Sequence, residues 1–108
     1  MLMPYAVYIL QCSDGTHYTG LTKDLDERVR EHEIGVHPES YTFSRRPVKL
    51  EWSIVTESYQ DAFQWEHRIK GWSQAKKKAL IRGDIDGILE IVKSERKQKE
   101  QNKKKPSR

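Results

Sequence analysis

The spacing of apolar positions changes twice along the first third of the chain. Residues 5–12 read YAVYILQC, a run of β-branched and aromatic residues that is typical of a strand. The next four residues contain Asp14-Gly15, a strong turn signal, and residues 17–21 return to an extended pattern. The pattern therefore predicts a β-hairpin. Because both faces of its first strand are apolar, we expect a central strand that encloses Tyr8.

Signals for both ends of a helix follow directly after the hairpin. Asp24 with Glu27 three residues later resembles a capping box, and Gly35 stands where a helix would end. Acidic residues fill the intervening first turn, where they complement the helix dipole. The sequence therefore predicts a helix over residues 22–35.

This first helix has a narrow apolar stripe with two basic residues beside it. Leu25 and Val29 are four residues apart, and so are Arg28 and His32. Residues at this spacing lie on the same side of a helix. We therefore expect Arg28 and His32 at the edge of the buried face, a costly position for a charge that has no role there.

The second half of the domain reads as a strand followed by helices. A loop over residues 36–47 precedes a predicted strand over residues 48–57, with Leu50, Trp52 and Ile54 on one face. Ser58 is placed to cap a second helix. The predicted core stripe of that helix consists of Ala62, Trp65, Ile69 and Trp72. Glu66 is expected on the flank of the stripe, where a lone glutamate is ordinarily a surface residue.

A short helix is predicted over residues 73–82, a break at Gly83-Asp84, and a last helix from residue 84 or 86 to about 97. The predicted fold class is therefore α+β: a small, mainly antiparallel three-stranded sheet opened by a hairpin, with three to four helices. We expect one domain over residues 1–92. Residues 93–108 are expected to be the end of the last helix and a basic, disordered tail.

Charge is distributed unevenly over the 108 residues. The net charge is +4, but residues 93–108 alone carry eight Lys or Arg against two Glu, so residues 1–92 have a net charge of −2. A basic segment can follow a phosphate backbone, although a charge run is more often simply a solvated face.

The single cysteine, Cys12, excludes an internal disulfide and a cysteine-rich zinc site. No apolar run is long enough to cross a membrane and no leader pattern is recognisable, so we expect a cytoplasmic location.

The residues carry a resemblance to the GIY-YIG nuclease superfamily. Its first signature corresponds to Ala6-Val7-Tyr8 and its second to Tyr18-Thr19-Gly20, and Arg28, His32 and Glu66 follow in the expected order. The similarity extends over about residues 4–83. The stretches VYILQCSDGTHYTG and RRPVKLEW resemble the small single-domain bacterial members and the nuclease subunit of structure-selective junction nucleases.

The resemblance implies roles for these five residues. Glu66 would hold one divalent cation, Mg²⁺ or Mn²⁺, and Arg28 would contact the scissile phosphate. Tyr8 would act as general base or position the attacking water, and Tyr18 and His32 would orient the phosphate and support proton transfer. An ordinary phenol has a pKa near 10, so a base role for Tyr8 requires a neighbouring cation; Arg28, Lys23 and Lys70 are the candidates.

Each residue also has a purely structural alternative. Tyr8 and Tyr18 could be core aromatic residues, and Arg28 could pair with Asp24 or Glu31 on its own helix. His32 could lie at the edge of the core, and Glu66 could pair with Lys70. The combined pattern, rather than any one position, favours an inherited nuclease site.

Additional basic residues are candidates for contacts with nucleic acid. They are Lys23, Arg45, Arg46, Lys70, Lys76, Lys77 and Lys78. The sequence also departs from the family pattern, because many family nucleases have an asparagine after the metal-binding glutamate and the only asparagine here is Asn102. Lys70, Ser73 and Gln74 are candidates to replace it.

The expected function is a metal-dependent endonuclease that cleaves branched or damaged DNA in repair or recombination. No separate DNA-recognition domain is apparent, so we expect recognition of DNA shape, with a protein partner as a further source of specificity. The alternative is a nucleic-acid-binding module of the same fold with little or no activity. The sequence leaves the oligomeric state open.

Overall fold

The computed structural model describes residues 4–84 and Gly87. Three strands, three α-helices and one 3-10 turn, Phe43–Arg45, are found in this part of the chain. In chain order the strands and α-helices are β1 (Tyr5–Gln11), β2 (His17–Thr22), α1 (Leu25–Ile34), β3 (Lys49–Thr56), α2 (Tyr59–Lys70) and α3 (Gln74–Ile81). The predicted α+β class is confirmed.

The sheet is antiparallel with the order β2-β1-β3, so β1 is the central strand. All residues from Ala6 to Leu10 are buried, which confirms the prediction made from the two apolar faces of this strand. Tyr8 is 1% exposed and is paired with Gly20 on β2 and Ser53 on β3. Gly15 has a φ of 86° in the hairpin turn, a left-handed conformation that glycine adopts without steric cost.

Helix α1 begins and ends at the predicted caps. The Asp24 carboxylate accepts a hydrogen bond from the Glu27 backbone N–H, and Gly35 ends the helix in a left-handed conformation with φ 83°. Loss of such an N-terminal cap typically costs about 1 kcal/mol of stability. The caps fix where α1 begins and ends.

One face of the sheet carries a small apolar cluster on which α1 packs. Tyr8, Leu10, Cys12 and Val48 form the buried part of this cluster. Leu25 and Val29 pack against it, together with Tyr18, as partly buried residues. The predicted stripe of α1 therefore contacts the face of the sheet that carries Tyr8.

Strand β3 differs from the prediction in which side chains share a face. The pairing of β1 with β3 is irregular between Ile9 and Leu10, whose partners are Trp52 and Leu50. Directly opposed residues of neighbouring strands lie on the same face, so Leu50 lies with Leu10 while Trp52 lies with Ile9. The prediction that Leu50 and Trp52 share a face was wrong because the bulge shifts the alternation by one residue.

Helix α2 packs against all three strands. The Ser58 side chain caps it by accepting from the Asp61 backbone N–H. Ala62 and Ile69 are completely buried, whereas Trp65 is 40% exposed, so its predicted place in the core stripe was wrong. The buried line runs through positions 62, 66 and 69, and Glu66 is therefore more enclosed than the sequence predicted.

The chain separates into two compact units, the first being Met1–Gln74 and the second beginning at Ala75. Helix α3 provides most of the described part of the second unit, and it agrees with the helix predicted over residues 73–82. Gly83 follows it with a φ of 71°. The predicted last helix and basic tail lie outside the described residues. No helix in the described part of the chain combines the length and apolar character needed to span a membrane.

Candidate active site

The centre of the candidate site is a hydrogen bond between two buried side chains. The Tyr8 hydroxyl lies 2.9 Å from His32 Nε2, and the two residues are 1% and 6% exposed. Tyr8 comes from the central strand and His32 from the last turn of α1. The partner that a buried phenol requires is thus supplied by the helix that packs on the same face of the sheet.

A glycine on the neighbouring strand makes room for the Tyr8 ring. A Cβ atom added at Gly20 would overlap the end of the Tyr8 ring and its hydroxyl. Gly20 is the direct cross-strand partner of Tyr8. The need for glycine here therefore arises from a close approach of side chain to backbone, and not from an unusual φ angle.

The loop before β3 completes a chain of hydrogen bonds. His32 Nδ1 lies 2.7 Å from Thr42 Oγ1, and Thr42 Oγ1 lies 3.1 Å from Ser40 Oγ. Thr42 is 1% exposed. Because a hydroxyl can both donate and accept, Thr42 can satisfy either neutral tautomer of His32. We call Tyr8, His32, Thr42 and Ser40 the buried relay.

The Tyr18 ring packs against the two central residues of the buried relay. The Tyr18 ring centroid lies 5.1 Å from that of His32 and 6.2 Å from that of Tyr8. Tyr41 stacks on Tyr18 with the ring centroids 6.2 Å apart. These contacts bring three of the five predicted site residues, Tyr8, Tyr18 and His32, into one cluster.

Burial sets the protonation of the two central groups. Removal from water raises the pKa of Tyr8, and Tyr18 adds to the rise, whereas the positive charge of Arg28 opposes it and the negative charge of Glu66 adds to it. Burial likewise lowers the pKa of His32, and Arg28 lowers it further. Near pH 7 the pair is therefore a neutral phenol beside a neutral imidazole. A base role for Tyr8 would require a lowered pKa, and these protein charges do not lower it.

Arg28 lies at the open side of the site. Its guanidinium is 3.5 Å from the Glu31 carboxylate, and its side chain is 40% exposed. Arg28 also lines a cavity of about 470 Å³ whose other walls include Tyr5, Lys23 and Tyr59. The predicted alternative of a pair with Glu31 is therefore present, and it leaves part of the guanidinium accessible from the cavity.

Glu66 forms the predicted alternative pair with Lys70. The Lys70 ammonium lies 3.0 Å from the Glu66 carboxylate, with side chains 54% and 18% exposed. A single carboxylate suits Mg²⁺ or Mn²⁺, because such ions keep several of their waters and bind through one or two carboxylates. Among the described residues, no three His, Cys, Asp or Glu side chains are grouped as metal ligands. The donor set therefore fits a hydrated magnesium-type ion, provided that Lys70 leaves the carboxylate.

The predicted replacements for the missing asparagine are already bonded elsewhere. Gln74 Oε1 lies 2.7 Å from His17 Nδ1, and Lys70 contacts Glu66. Ser73 also has an interaction within the protein. Gln74 and Lys70 are therefore engaged with other side chains in this arrangement.

The two loop arginines make structural contacts that the sequence did not predict. Arg45 Nε lies 3.1 Å from Asp14, and its guanidinium stacks 3.8 Å above the Tyr41 ring. Arg46 donates to the carbonyl oxygens of Ile34 and Phe43. These bonds hold the loop that carries Thr42 against the hairpin turn and the end of α1.

The remaining basic residues are dispersed. Lys23 lies with its ammonium 5.9 Å from the Tyr5 ring centroid, on the wall of the Arg28 cavity.

Three further lysines, Lys76, Lys77 and Lys78, belong to α3 in the second unit. Lys76 is only 6% exposed, so its burial does not favour the predicted contact with nucleic acid. Burial also lowers the pKa of Lys77, and Lys78 is exposed.

Sequence reasoning missed Ser40, Tyr41 and Thr42. The signal that could have indicated them is the run of hydroxyl and aromatic residues at 40–44, SYTFS, in a loop otherwise read only for its arginines. Loops held by a rigid scaffold often carry functional groups. Which strand or helix such a loop meets, however, is decided by contacts distant in sequence.

Comparison with known proteins agrees with the resemblance seen in the sequence. The sequence model of the GIY-YIG catalytic domain matches residues 4–79. A UPF0213 protein of Halobacterium salinarum is 46% identical over 75 residues, which is 69% of this chain and 96% of the relative. A UPF0213 protein of Syntrophus aciditrophicus is 45% identical over 76 residues, covering 70% and 87% of the two chains.

A solved structure is also similar. The solution structure of a UPF0213 protein from Bacillus halodurans matches with a TM-score of 0.50 and 39% sequence identity. The match covers 74% of this chain and 84% of that protein.

Proposed function

We propose that this chain, which belongs to the GIY-YIG catalytic domain family, is a metal-dependent endonuclease that hydrolyses phosphodiester bonds in DNA. One observation carries the proposal: four other predicted site residues act on a single buried hydroxyl, that of Tyr8. His32 is bonded to it, and Tyr18, Arg28 and Glu66 influence its pKa electrostatically. A tyrosine with only a structural role in the core needs one hydrogen-bond partner, and its stability does not require this combination of ring, cation and carboxylate.

The neutral state of Tyr8 and His32 suggests how a proton would move. As water attacks the phosphate, the Tyr8 oxygen takes the proton of that water while the Tyr8 proton passes to His32 Nε2 over 2.9 Å. No phenolate is required, because the two transfers occur together. In this scheme His32 becomes the cation, and Thr42 Oγ1 accepts the hydrogen bond from its Nδ1.

The other two residues neutralise charge. Arg28 would bind the phosphate from the side of the cavity that it lines. Glu66 would hold Mg²⁺ or Mn²⁺ after exchange of its Lys70 partner. The cation supplies positive charge that offsets the charge developing on the phosphate and on the departing oxygen.

The substrate we propose is DNA with an unusual shape, such as a flap, fork, junction or end. The described residues contain one small sheet with its helices and no separate recognition module. Selection by base sequence needs side chains that reach base edges, whereas phosphate contacts position a protein without reading sequence. Shape is therefore the property that this arrangement is best suited to recognise.

An assay with a panel of DNAs tests the proposal. The purified chain is incubated with Mg²⁺ or Mn²⁺ and with flap, fork, junction, single-stranded and linear substrates. We expect cleavage of at least one branched DNA, dependence on the cation, and loss of cleavage in Tyr8→Phe. If the chain binds DNA but cleaves none of these substrates, the proposal is overturned.

One observation favours a second candidate function, a nucleic-acid-binding module without activity. Lys70 already neutralises Glu66 at 3.0 Å, and the usual asparagine ligand is absent from this part of the sequence. In that case the panel would show binding to branched DNA that Glu66→Gln and added cation leave unchanged.

A further inference from the structure

Three aromatic rings follow one another along the exposed side of α2, and Tyr5 of β1 contacts the first of them. Tyr5 contacts Tyr59 with ring centroids 5.3 Å apart, Tyr59 contacts Phe63 at 6.0 Å, and Phe63 stacks on His67 at 6.1 Å with the planes 10° apart. Positions 59, 63 and 67 are spaced by four residues and therefore lie along one side of the helix. We call Tyr5, Tyr59, Phe63 and His67 the aromatic row.

The row faces solvent. Tyr59 is 51% exposed and Phe63 is 50% exposed, and neither is part of the apolar cluster under α1. Single exposed aromatic residues are common on protein surfaces and need no explanation. A continuous series of ring contacts in which two rings are half exposed is different, because it offers several neighbouring rings to one ligand.

The row is continuous with the candidate active site. Its first two rings, Tyr5 and Tyr59, line the cavity of about 470 Å³ that Arg28 also lines. Further along α2, Phe63 precedes Glu66 by three residues, so the two side chains are neighbours on the helix surface. A ligand lying on the row would therefore extend from the Arg28 cavity past Glu66.

Cations and carboxylates both lie beside the row, and the carboxylates of Asp24, Glu27 and Glu31 line the same cavity as its first two rings. The Lys23 ammonium lies 5.9 Å from the Tyr5 ring centroid, and Arg68 and Lys70 are exposed in the last turn of α2. Asp61 lies two residues from both Tyr59 and Phe63, which turns it toward another side of the helix. Rings flanked by cations suit a ligand that carries flat bases on an anionic backbone better than they suit an apolar protein surface.

We propose that the aromatic row is a stacking platform for a single-stranded segment of DNA that adjoins the bond to be cleaved. The inference rests on the proposed function, since it names the unpaired part of a flap or fork as the recognised feature. Unpaired bases stack on Tyr59, Phe63 and His67 while their phosphates meet Lys23 and Lys70. Paired bases cannot use the platform, because their faces are covered by their neighbours in the duplex.

Binding without cleavage tests the platform. A fluorescent single-stranded oligothymidylate and a duplex of equal length are titrated with the full chain in the presence of a chelator, and anisotropy gives the two dissociation constants. Loss of one stacking contact weakens binding by between about fivefold and a hundredfold. We expect Phe63→Ala to weaken single-strand binding within this range, to change duplex binding much less, and Phe63→Trp to restore affinity.

Trp65→Ala is the matched control, because Trp65 is 40% exposed on the same helix but does not belong to the row. It should leave single-strand affinity unchanged, and circular dichroism should show that both alanine variants are folded. Equal losses for single strand and duplex, or no loss in Phe63→Ala, would overturn the platform. Loss of self-association or of a protein contact in Phe63→Ala, with single-strand binding intact, would also overturn it. A chain that cleaves no DNA but shows the predicted single-strand selectivity would refute the proposed function and leave the platform standing.

Discussion

The two sides of the candidate site differ in how far they are closed to solvent. On the β1 and α1 side, Tyr8, His32 and Thr42 are 1%, 6% and 1% exposed and are joined by hydrogen bonds of 2.9 and 2.7 Å. On the α2 side, Lys70 is 54% exposed and Phe63 is 50% exposed. The first side is fixed by packing, and the second meets water directly.

This difference separates two kinds of chemistry. A buried hydrogen-bonded network is stabilised by low polarity and becomes costly when one member is lost, which suits proton transfer along a fixed path. In the Glu66–Lys70 pair the ammonium is 54% exposed and the carboxylate 18% exposed, so water can solvate Lys70 when a cation takes its place. In the proposed function, proton transfer therefore belongs to the closed side, and the exchangeable ligands, metal and DNA, belong to the open side.

Glu66→Gln tests the open side with the largest expected effect. The amide keeps the shape of the side chain but loses the charge that would hold the cation. A bound cation would stabilise the transition state by several kcal/mol. We expect cleavage to fall by about a thousandfold or more. Single-turnover cleavage measures this, with Glu57→Gln, an exposed neighbour on the loop before α2, as the control. Cleavage at the wild-type rate in Glu66→Gln would show that Glu66 holds no essential metal.

Gly20→Ala tests the packing of the closed side. The new methyl group would overlap the Tyr8 ring, and overpacking of this kind costs about 1–3 kcal/mol of unfolding free energy. Urea unfolding measures the loss, and the displaced hydroxyl should also slow cleavage. Gly71→Ala is the matched control, because a Cβ atom there meets no atom nearer than 3.6 Å. Equal stabilities of the two variants would contradict the close packing of Tyr8 on β2.

Thr42→Val tests the end of the relay. The substitution keeps the side-chain shape but leaves His32 Nδ1 buried without its 2.7 Å partner, which typically costs about 1–2 kcal/mol. We expect this loss in urea unfolding and a slower cleavage step with unchanged DNA affinity. Ser40→Ala, which alters only the partly buried end of the relay, should have a smaller effect on both. A Thr42→Val protein with wild-type rate and stability would remove Thr42 from the relay.

The pH dependence of stability gives the smallest expected effect. Burial lowers the pKa of folded His32 below its usual value of 6.5, so the unfolded chain binds the proton more readily. His32 therefore costs no stability above about pH 6.5, and it makes the fold less stable as the pH falls below that value. Urea unfolding between about pH 7 and pH 5 should show a steeper loss in wild type than in His32→Gln. Parallel losses would show that His32 titrates alike in both states.

Much of the closed side could be predicted because local signals determine it. Two apolar faces identified β1 as central, Asp24 and Gly35 fixed the ends of α1, and the Leu25–Val29 stripe placed His32 at the edge of the buried face of the helix. The enclosure of Tyr8 and the position of His32 at the edge of the buried face needed only these two elements. The family resemblance added the order of the five site residues.

The rest depended on contacts distant in sequence. Thr42 contacts His32 from a loop that Arg45 and Arg46 hold against Asp14 and the end of α1, and no spacing rule specifies such a loop. The bulge in β3 and the exposure of Trp65 likewise follow from how β3 and α2 meet the other strands. Alternation and helical periodicity describe one element at a time and cannot indicate these adjustments.

A double-mutant cycle on the closed side tests the central claim most directly. Single-turnover cleavage rates are measured for wild type, Tyr8→Phe, His32→Gln and the double variant. If Tyr8 and His32 pass one proton in a single step, either single change should slow cleavage by about 10²- to 10⁴-fold, and the double variant should be hardly slower than the slower single one. Independent losses that multiply in the double variant would contradict the relay and assign the two residues separate roles.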